Sequence, residues 1–500
     1  MLLARPNGRN ILKFLVLVIT LIVIAAILHF KFGYRLHVDG SGWRPRFVSQ
    51  NREAHYVILD KNRGQQKLRN TESKISPKIG SSLDLLPKKI LPTEINAYRN
   101  VSENTDTAKS GTQNYWTDFR GPNRDGRYEA APILTTWPES GLPLLWHQPI
   151  GGGYASFIAA DGRLFTIEQR RQQEMLVSYD LETGHEYWNN GWDANFREVL
   201  GGDGPRATPT WDEGRIYSLG ATGELRCVDA TTGNLLWRRN ILSENGATNL
   251  TWAMSASPLV VDNKVIVLPG GPGGRSVVAY DKITGEKIWS VLDDKQAYVS
   301  PMLVTLANQR QILVVSAERA MGLTVDEGAL LWEYPWTTSQ GINTAQPVLL
   351  DKNRIFLSSG YGHGAETFEV LRKGNSFSTQ TLWDNIRMKN KFTSSILHEG
   401  YLYGLDESIL ACISAETGEL MWKGGRYGYG QVMFGSGHLI VLTERGDIAL
   451  VKATPEKHQE LARFAAIDGK SWNHPIIVDG RLIVRNTTEM AAFDISEENQ

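Results

Sequence analysis

One column of side chains in this sequence could build a binding surface. Several segments share a Ser/Thr-Pro step, as in Thr208-Pro209 and Ser257-Pro258, and can be aligned on it. Three residues before the Pro position, five of the eight aligned residues are aromatic; the column reads Tyr154, Arg206, Ser255, Tyr298, Thr344, Phe392, Tyr429 and Trp472. Aromatic rings held side by side could dock a planar cofactor or an extended peptide. Alternatively, they fill an interior channel or pack between structural units.

No set of residues predicts a catalytic or metal centre. Among the ten histidines, His363 is the best general-base candidate and His474 a weaker one, but neither has a nucleophile or metal partner at a suitable spacing. Asp118 and Asp125 lack the Asp-x-Asp-x-Asp-Gly spacing of a calcium loop. Two Gly-rich segments, 269–275 and 360–364, run into predicted strands rather than helices, so they are interpreted as hairpin loops instead of anion sites.

An internal repeat determines which elements must position these residues. The unit Asp-x-x-Thr-Gly-x-x-x-Trp begins at Asp180, Asp229 and Asp281, and degenerate copies follow. Between the copies lies a second signal, a tight turn such as Asp161-Gly162 followed by an alternating strand. Eight such turns occur at a mean step of about 45 residues, the length of a four-stranded propeller blade.

The repeat predicts an all-β, eight-bladed β-propeller over residues 111–500. The last copy contains only three strands, and the segment 142–146 supplies the missing fourth, so an N-terminal strand is expected to close the ring. Blade-docking aromatics are expected at Trp146, Trp188, Trp237, Trp289, Trp332, Trp383 and Trp422. Cys227 and Cys412 occupy equivalent positions in blades 2 and 6, on opposite sides of the ring. They are predicted to be buried free thiols.

Composition excludes several classes of protein. The chain has 500 residues, 41% of them hydrophobic, and a net charge of -1, which argues against global disorder and against nucleic-acid binding. Two cysteines cannot form a disulfide scaffold. The net charge of -1 is the sum of +3 over residues 1–30, +7 over residues 31–110 and -11 over residues 111–500. We expect a monomeric propeller.

The N-terminal region is predicted to attach the propeller to a membrane. Residues 1–13 form a predicted cytoplasmic tail, 14–30 an uncleaved transmembrane signal anchor, and 31–110 a basic, disordered flexible linker. A cleaved leader is the alternative for the apolar run. The charge distribution does not decide the orientation, but we expect export of the long C-terminal part.

The Asp-x-x-Thr-Gly-x-x-x-Trp units resemble the pyrroloquinoline-quinone (PQQ) repeat of the quinoprotein alcohol dehydrogenase-like superfamily, over roughly residues 115–500. The lead-in Asp118-Phe-Arg-Gly-Pro-Asn-Arg-Asp-Gly126 resembles the opening of PQQ-like propellers of bacterial envelopes. The resemblance implies either a quinone-dependent dehydrogenase or a non-catalytic propeller, such as the lipoprotein of the outer-membrane β-barrel assembly machinery. The chain lacks the adjacent cysteine pair of many such dehydrogenases, and no cluster matches their Ca²⁺ site.

The sequence therefore favours a membrane-anchored, non-catalytic interaction platform. We expect it in the bacterial inner membrane as a single-pass protein, with the propeller on the periplasmic side and envelope proteins as partners. No cofactor is predicted. The alternative is a PQQ-dependent alcohol or sugar dehydrogenase that holds the quinone with Ca²⁺ at the channel mouth, and glycan binding through the aromatic residues is a third hypothesis.

Overall fold

A computed structural model describes residues 8–32, 34–37, 46–49, 52–75, 115–198, 201–338 and 340–497. The elements that precede blade 1 in the chain are α1 (Gly8–Phe32), β1 (Tyr34–His37), β2 (Arg46–Ser49), α2 (Arg52–Ile75), β3 (Arg127–Tyr128) and β4 (Leu144–Pro149). Strands β1 and β2 form an antiparallel hairpin.

Eight antiparallel sheets follow one another along the rest of the chain and form the predicted eight-bladed propeller. Blade 1 contains β5 (Ile158–Ala160), β6 (Arg163–Arg170), β7 (Gln173–Asp180) and β8 (Glu186–Asp193). Blade 2 contains β9 (Thr210–Asp212), β10 (Arg215–Leu219), β11 (Glu224–Asp229) and β12 (Leu235–Asn240), followed by the short helix α3 (Ile241–Asn245). Blade 3 contains β13 (Leu259–Val261), β14 (Lys264–Val267), β15 (Val277–Asp281) and β16 (Lys287–Val291).

The remaining blades have the same strand order. Blade 4 contains β17 (Met302–Leu306), β18 (Gln309–Val315), β19 (Arg319–Leu323) and β20 (Leu330–Pro335). Blade 5 contains β21 (Val348–Leu349), β22 (Arg354–Ser359), β23 (Gly364–Lys373) and β24 (Ser376–Asn385). Blade 6 contains β25 (Ile396–His398), β26 (Tyr401–Asp406), β27 (Ile409–Ser414) and β28 (Leu420–Arg426). Blade 7 contains β29 (Gln431–Gly435), β30 (His438–Leu442), β31 (Asp447–Lys452) and β32 (Glu460–Ala465).

The predicted ring closure is confirmed. Blade 8 contains β33 (Ile476–Val478), β34 (Arg481–Arg485) and β35 (Glu489–Asp494), and its outer strand is β4 from the other end of the propeller domain. Strand β4 pairs antiparallel with β35, with Trp146 opposite Ala492. Because the two ends of the domain share one sheet, opening the ring requires breaking that strand pair.

Each repeat turn is held by its own side chains, as the sequence indicates. In blade 1 the carboxylate of Asp180 accepts hydrogen bonds from the backbone N–H of Thr183 at 2.8 Å and from its hydroxyl at 2.6 Å. Gly184 follows with φ +66°, and a side chain there would collide with the ring of Trp146 from blade 8. The Thr-Gly pair therefore makes the turn and leaves room for the preceding blade's tryptophan.

The linker prediction is wrong for residues 52–75, which form α2 and pack against the seam between blades 8 and 1. Arg63 inserts here: its Nη2 donates to Pro149 O at 2.9 Å, and its Nε lies 3.0 Å from the carboxylate of Glu186. Leu59 is buried, and His55 contacts Ile150 O at 2.8 Å. The sequence did not reveal this helix because its propeller-facing side is mostly polar, so no apolar 3.6-residue period marks it.

The other N-terminal predictions concern the membrane anchor, the tail and the rest of the linker. The predicted anchor, 14–30, lies within α1. Within the described part of the chain, no helix meets the length and hydropathy required to cross a membrane. The anchor and the orientation stay predictions. Residues 1–7 of the predicted tail, and 38–45 and 76–110 of the predicted linker, lie outside the described residues.

Candidate functional site

A series of hydrogen bonds fixes the starts of the inner strands of blades 1 to 4. The backbone N–H of Ser156 donates to Thr208 Oγ1 at 2.9 Å, that of Thr208 to Ser257 Oγ at 3.0 Å, and that of Ser257 to Ser300 Oγ at 2.8 Å. The side chain before the Pro position thus ties each of these blades to the one before it. The residue two positions earlier, in the predicted column, is thereby placed at one mouth of the channel.

The structure brings four column residues together in an arc over blades 6, 7, 8 and 1. The Trp472 ring lies 5.3 Å from that of Tyr154 and 4.5 Å from that of Phe392, and Phe392 lies 5.9 Å from Tyr429. Tyr429 is buried, whereas the other three are half-buried and retain contact with solvent. We call these four residues the aromatic arc.

The other column residues are not part of the arc, although Arg206 borders it. Tyr298 packs on Trp252 at 5.9 Å. Arg206 lies 5.6 Å from the Tyr154 ring and donates to Gly202 O at 2.7 Å, and burial lowers the pKa of its guanidinium. Ser255 and Thr344 are small, so the aromatic residues of the column form an arc and not a closed ring.

Two lysines at the mouth were missed by the sequence reasoning. The Nζ of Lys470 lies 3.9 Å from the Trp472 ring centroid, and the Nζ of Lys391 lies 5.0 Å from that of Tyr429 and 4.7 Å from that of Tyr361. Such cation–π contacts contribute about 0.5–1 kcal/mol each at exposed sites. The sequence could have indicated these lysines, because both lie within two residues of a column position. The arc is therefore an aromatic surface with two lysines at its edge.

The carboxylates at this mouth are already engaged. Glu444 accepts from Trp472 Nε1 at 3.0 Å and from the Tyr429 backbone N–H at 3.2 Å, and Glu407 accepts from the Tyr429 hydroxyl at 2.7 Å. Ca²⁺ requires six to eight oxygen ligands, and the described residues contain no cluster of three or more His, Cys, Asp or Glu side chains that could hold a metal. Both carboxylates are thus engaged in hydrogen bonds that position the aromatic residues of the arc.

The predicted docking tryptophans all contact the next blade. Trp146, Trp188 and Trp237 donate from Nε1 to backbone carbonyls of the following blade, at Leu181 (3.0 Å), Ala230 (3.2 Å) and Lys282 (3.1 Å). The same donation is made by Trp383 to Ala415 and by Trp422 to Thr454. Trp289 packs against Gly328, and Trp332 against Phe368. These residues belong to the scaffold.

The histidine candidates lie in packed surroundings. His363 stacks edge-on against Trp336 at 4.5 Å. His474 is buried beside Trp116, its Nδ1 lies 2.6 Å from Pro475 O, and burial lowers its pKa to about 3. A histidine that stays neutral over the ordinary pH range does not serve as a general base with a pKa near neutrality.

The two cysteines are buried and free, as predicted. Cys227 lies opposite Trp237 in blade 2, and Cys412 lies opposite Trp422 in blade 6, which confirms their equivalence. Burial raises the pKa of each thiol to about 12. The Gly-rich segments 269–275 and 360–364 connect β14 to β15 and β22 to β23, so they are hairpin loops.

The lead-in crosses the opposite mouth. The Arg124 guanidinium donates to Pro301 O at 2.8 Å and pairs with Asp118 at 2.8 Å. Arg120 is buried and donates to Ser395 O at 3.3 Å, and burial lowers its pKa to about 10. Because these guanidinium groups bond to carbonyls of several blades, the lead-in fixes that end of the channel.

The fold and repeat define the class of the chain as the PQQ-like repeat propellers. A family model described as "Outer membrane protein assembly factor BamB" matches residues 172–424, half of the chain, and the chain belongs to that family. The outer membrane protein assembly factor BamB of Bordetella pertussis is 20% identical over 309 residues, covering 60% of this chain and 72% of the relative.

Solved structures show the same fold. BamB from Moraxella catarrhalis aligns with a TM-score of 0.52 at 14% identity, covering 72% of this chain and 99% of that one. The quinohemoprotein alcohol dehydrogenase ADHIIG from Pseudomonas putida HK5 aligns with a TM-score of 0.55 at 12% identity, covering 78% and 81%. Since both a BamB and a dehydrogenase match at such low identity, these structures define the fold alone.

Proposed function

We propose that this chain is a non-catalytic protein-interaction platform of the bacterial envelope, and that envelope proteins bind at the channel mouth. The aromatic arc is the observation that carries the proposal. Its rings are fixed by packing and hydrogen bonds before any partner arrives, and rigid aromatic side chains are favoured in protein interfaces because little conformational entropy is lost on binding. Lys391 and Lys470 at its edge would add electrostatic selectivity.

Family membership supports this function. The matched relatives are named as assembly factors for outer membrane proteins, and by analogy this chain would contact envelope proteins during assembly. The propeller then lies on the periplasmic side, and the apolar run at 14–30 holds it to the inner membrane. Helix α2 packs on the propeller at the seam of blades 8 and 1. The membrane anchor would therefore join the propeller at this seam and not through a long flexible tether.

Two alanine variants test the role of the mouth. Trp472→Ala and Tyr298→Ala each remove one mouth aromatic, and Tyr187→Ala is the matched control, an aromatic residue 53% exposed on the outer strand of blade 1. After crosslinking in intact membranes, we expect Trp472→Ala to reduce copurification of specific envelope proteins at least fivefold, with a smaller loss for Tyr298→Ala. Equal recovery from all variants, with normal circular dichroism, would overturn the proposal.

A quinone titration tests the non-catalytic part. PQQ and Ca²⁺ are added to the purified full chain, and the quinone absorption band and dye-linked oxidation of alcohols and sugars are followed. We expect neither a bound quinone at stoichiometric ratio nor dye reduction above the level without protein. Stoichiometric binding with substrate-dependent dye reduction would establish the dehydrogenase alternative.

A further inference from the structure

The mouth opposite the aromatic arc contains a cavity of about 690 Å³ between the lead-in and the inner strands of blades 3 to 6. One wall consists of aliphatic side chains that include Leu303, Leu349 and Leu397. The facing wall is the lead-in, with Asp125 and Arg127. The cavity therefore places inner-strand edges on one side and a fixed polar segment on the other.

Blade 7 shows how an inner-strand edge accepts an extended segment. Its inner strand β29 pairs in parallel with β3 of the lead-in, and the backbone N–H of Phe434 donates to Gly126 O at 2.9 Å. As a result, this sheet has five strands. The chain itself thus uses strand addition inside the channel.

Strand β17 of blade 4 is the counterpart of β29. Both have five residues, and both end at a two-residue turn, which joins Leu306 to Gln309 in blade 4 and Gly435 to His438 in blade 7. Counted back from the turn, Thr305 corresponds to Phe434. The other inner strands along the cavity, β13, β21 and β25, have only two or three residues.

The backbone of β17 has hydrogen-bonding groups directed into the cavity. In an antiparallel ladder alternate residues bond to the partner strand, so the N–H and C=O groups of Leu303 and Thr305 point away from β18. Among the loop and interstrand bonds of the described residues, none uses the N–H of Thr305. Both side chains are exposed, Leu303 at 39%. An unpaired strand edge of this kind is a template for another strand.

We propose that the channel-facing edge of β17 binds an extended peptide segment of a partner protein by strand addition, as β29 binds β3. The inference rests on the proposed function and names the chemistry of one partner segment. The lining charges balance, three acidic against three basic: Asp118, Asp125 and Glu399 against Arg120, Arg124 and Arg127. The site therefore selects an uncharged segment with an aliphatic side chain beside Leu303, and affinity comes mainly from backbone hydrogen bonds.

One substitution separates backbone pairing from side-chain contact. Thr305→Pro removes the N–H that a bound strand would use, and it leaves the β17–β18 ladder intact because that N–H does not take part in it. Thr305→Ala keeps the N–H and is the matched control. The probe is a phage-displayed library of random nine-residue peptides. Peptides selected on the purified full chain are synthesised, and their binding is measured by fluorescence anisotropy.

We expect the selected peptides to bind Thr305→Ala within twofold of the unmodified chain and Thr305→Pro at least tenfold more weakly. If Thr305→Pro does not fold, as judged by circular dichroism, backbone N-methylation of each peptide residue in turn decides the question on the unmodified chain. At least one methylated position must then weaken binding tenfold.

Two results would overturn the inference: selected peptides that bind Thr305→Pro and all N-methylated forms normally, or a library that yields no binder dependent on position 305. The proposed function is tested separately, by loss of crosslinked envelope proteins in Trp472→Ala. If those proteins are still lost in that variant, failure of the peptide test removes only this second site.

Discussion

Glu174 provides a test of the blade packing through pH. It lies at the start of β7, is fully buried, and its carboxylate accepts the backbone N–H of Ala221 from blade 2 at 3.1 Å. Burial raises its pKa to about 7, and this effect outweighs the hydrogen bond from Ala221 and the nearby charge of Arg206. The folded protein therefore holds a proton at Glu174 that the unfolded chain releases at lower pH.

The sign of the pH dependence follows from linkage. With a folded-state pKa above the unfolded value of about 4.3, the stability contributed by the protonated group is fully present below that unfolded pKa. It is lost as the pH rises through 7. At 1.36 kcal/mol for each pKa unit, the loss at pH 8 is on the order of 3 kcal/mol. Glu174→Gln keeps the acceptor for Ala221 and removes the charge, so we expect it to stabilise the protein by that amount at pH 8 and by almost nothing at pH 4.5.

The assay is guanidinium unfolding followed by far-UV circular dichroism at both pH values. Glu419→Gln, at an exposed glutamate of a repeat turn, is the control and is expected to change stability by less than about 0.5 kcal/mol at either pH. A stabilisation by Glu174→Gln that is the same at both pH values, or a destabilisation at pH 8, would show that burial does not raise the pKa of Glu174 in the folded protein.

Three further predictions follow from the packing. Trp146→Ala at the ring closure is expected to lower the free energy of unfolding by on the order of 4 kcal/mol, whereas the adjacent, 44% exposed Leu145→Ala changes it by less than about 1 kcal/mol; equal effects in denaturant titration would contradict the docking geometry. The two buried thiols should react with a thiol-specific disulfide reagent only after unfolding, and fast labelling of the native protein would refute their burial. Arg63→Ala should make limited proteolysis of α2 at least tenfold faster than Arg171→Ala does, since Arg171 pairs with Glu53 and Asp60 of α2 only at the exposed surface; equal rates would show that the buried ion pair does not hold the helix.

The sequence was sufficient for the ring because each blade repeats its own turn chemistry. Asp180, Thr183 and Gly184 act within a few residues of one another, so their spacing alone reveals the turn. Ring closure followed from counting strands, because Trp146 supplied the aromatic residue that the last repeat lacks.

The features that the sequence did not predict depend on contacts between residues far apart in the chain. Helix α2 was missed because its anchor, Arg63, is polar and finds Glu186 only in the folded protein. The channel-mouth column was found by alignment, but Ser255 and Thr344 on either side of Tyr298 limit the aromatic surface to an arc. The pairing of β3 with β29 has no local signal, since it joins residues about 300 positions apart.

Photocrosslinking in living cells from two positions, one at the channel mouth and one on the perimeter, tests whether the channel mouth recognises envelope proteins. A benzophenone side chain is placed at Phe392 in the aromatic arc and, in a separate variant, at Tyr187 on the blade 1 perimeter. We expect defined protein adducts from position 392, at least fivefold more abundant than those from position 187. Adducts of equal yield from both positions, or from position 187 alone, would contradict this expectation.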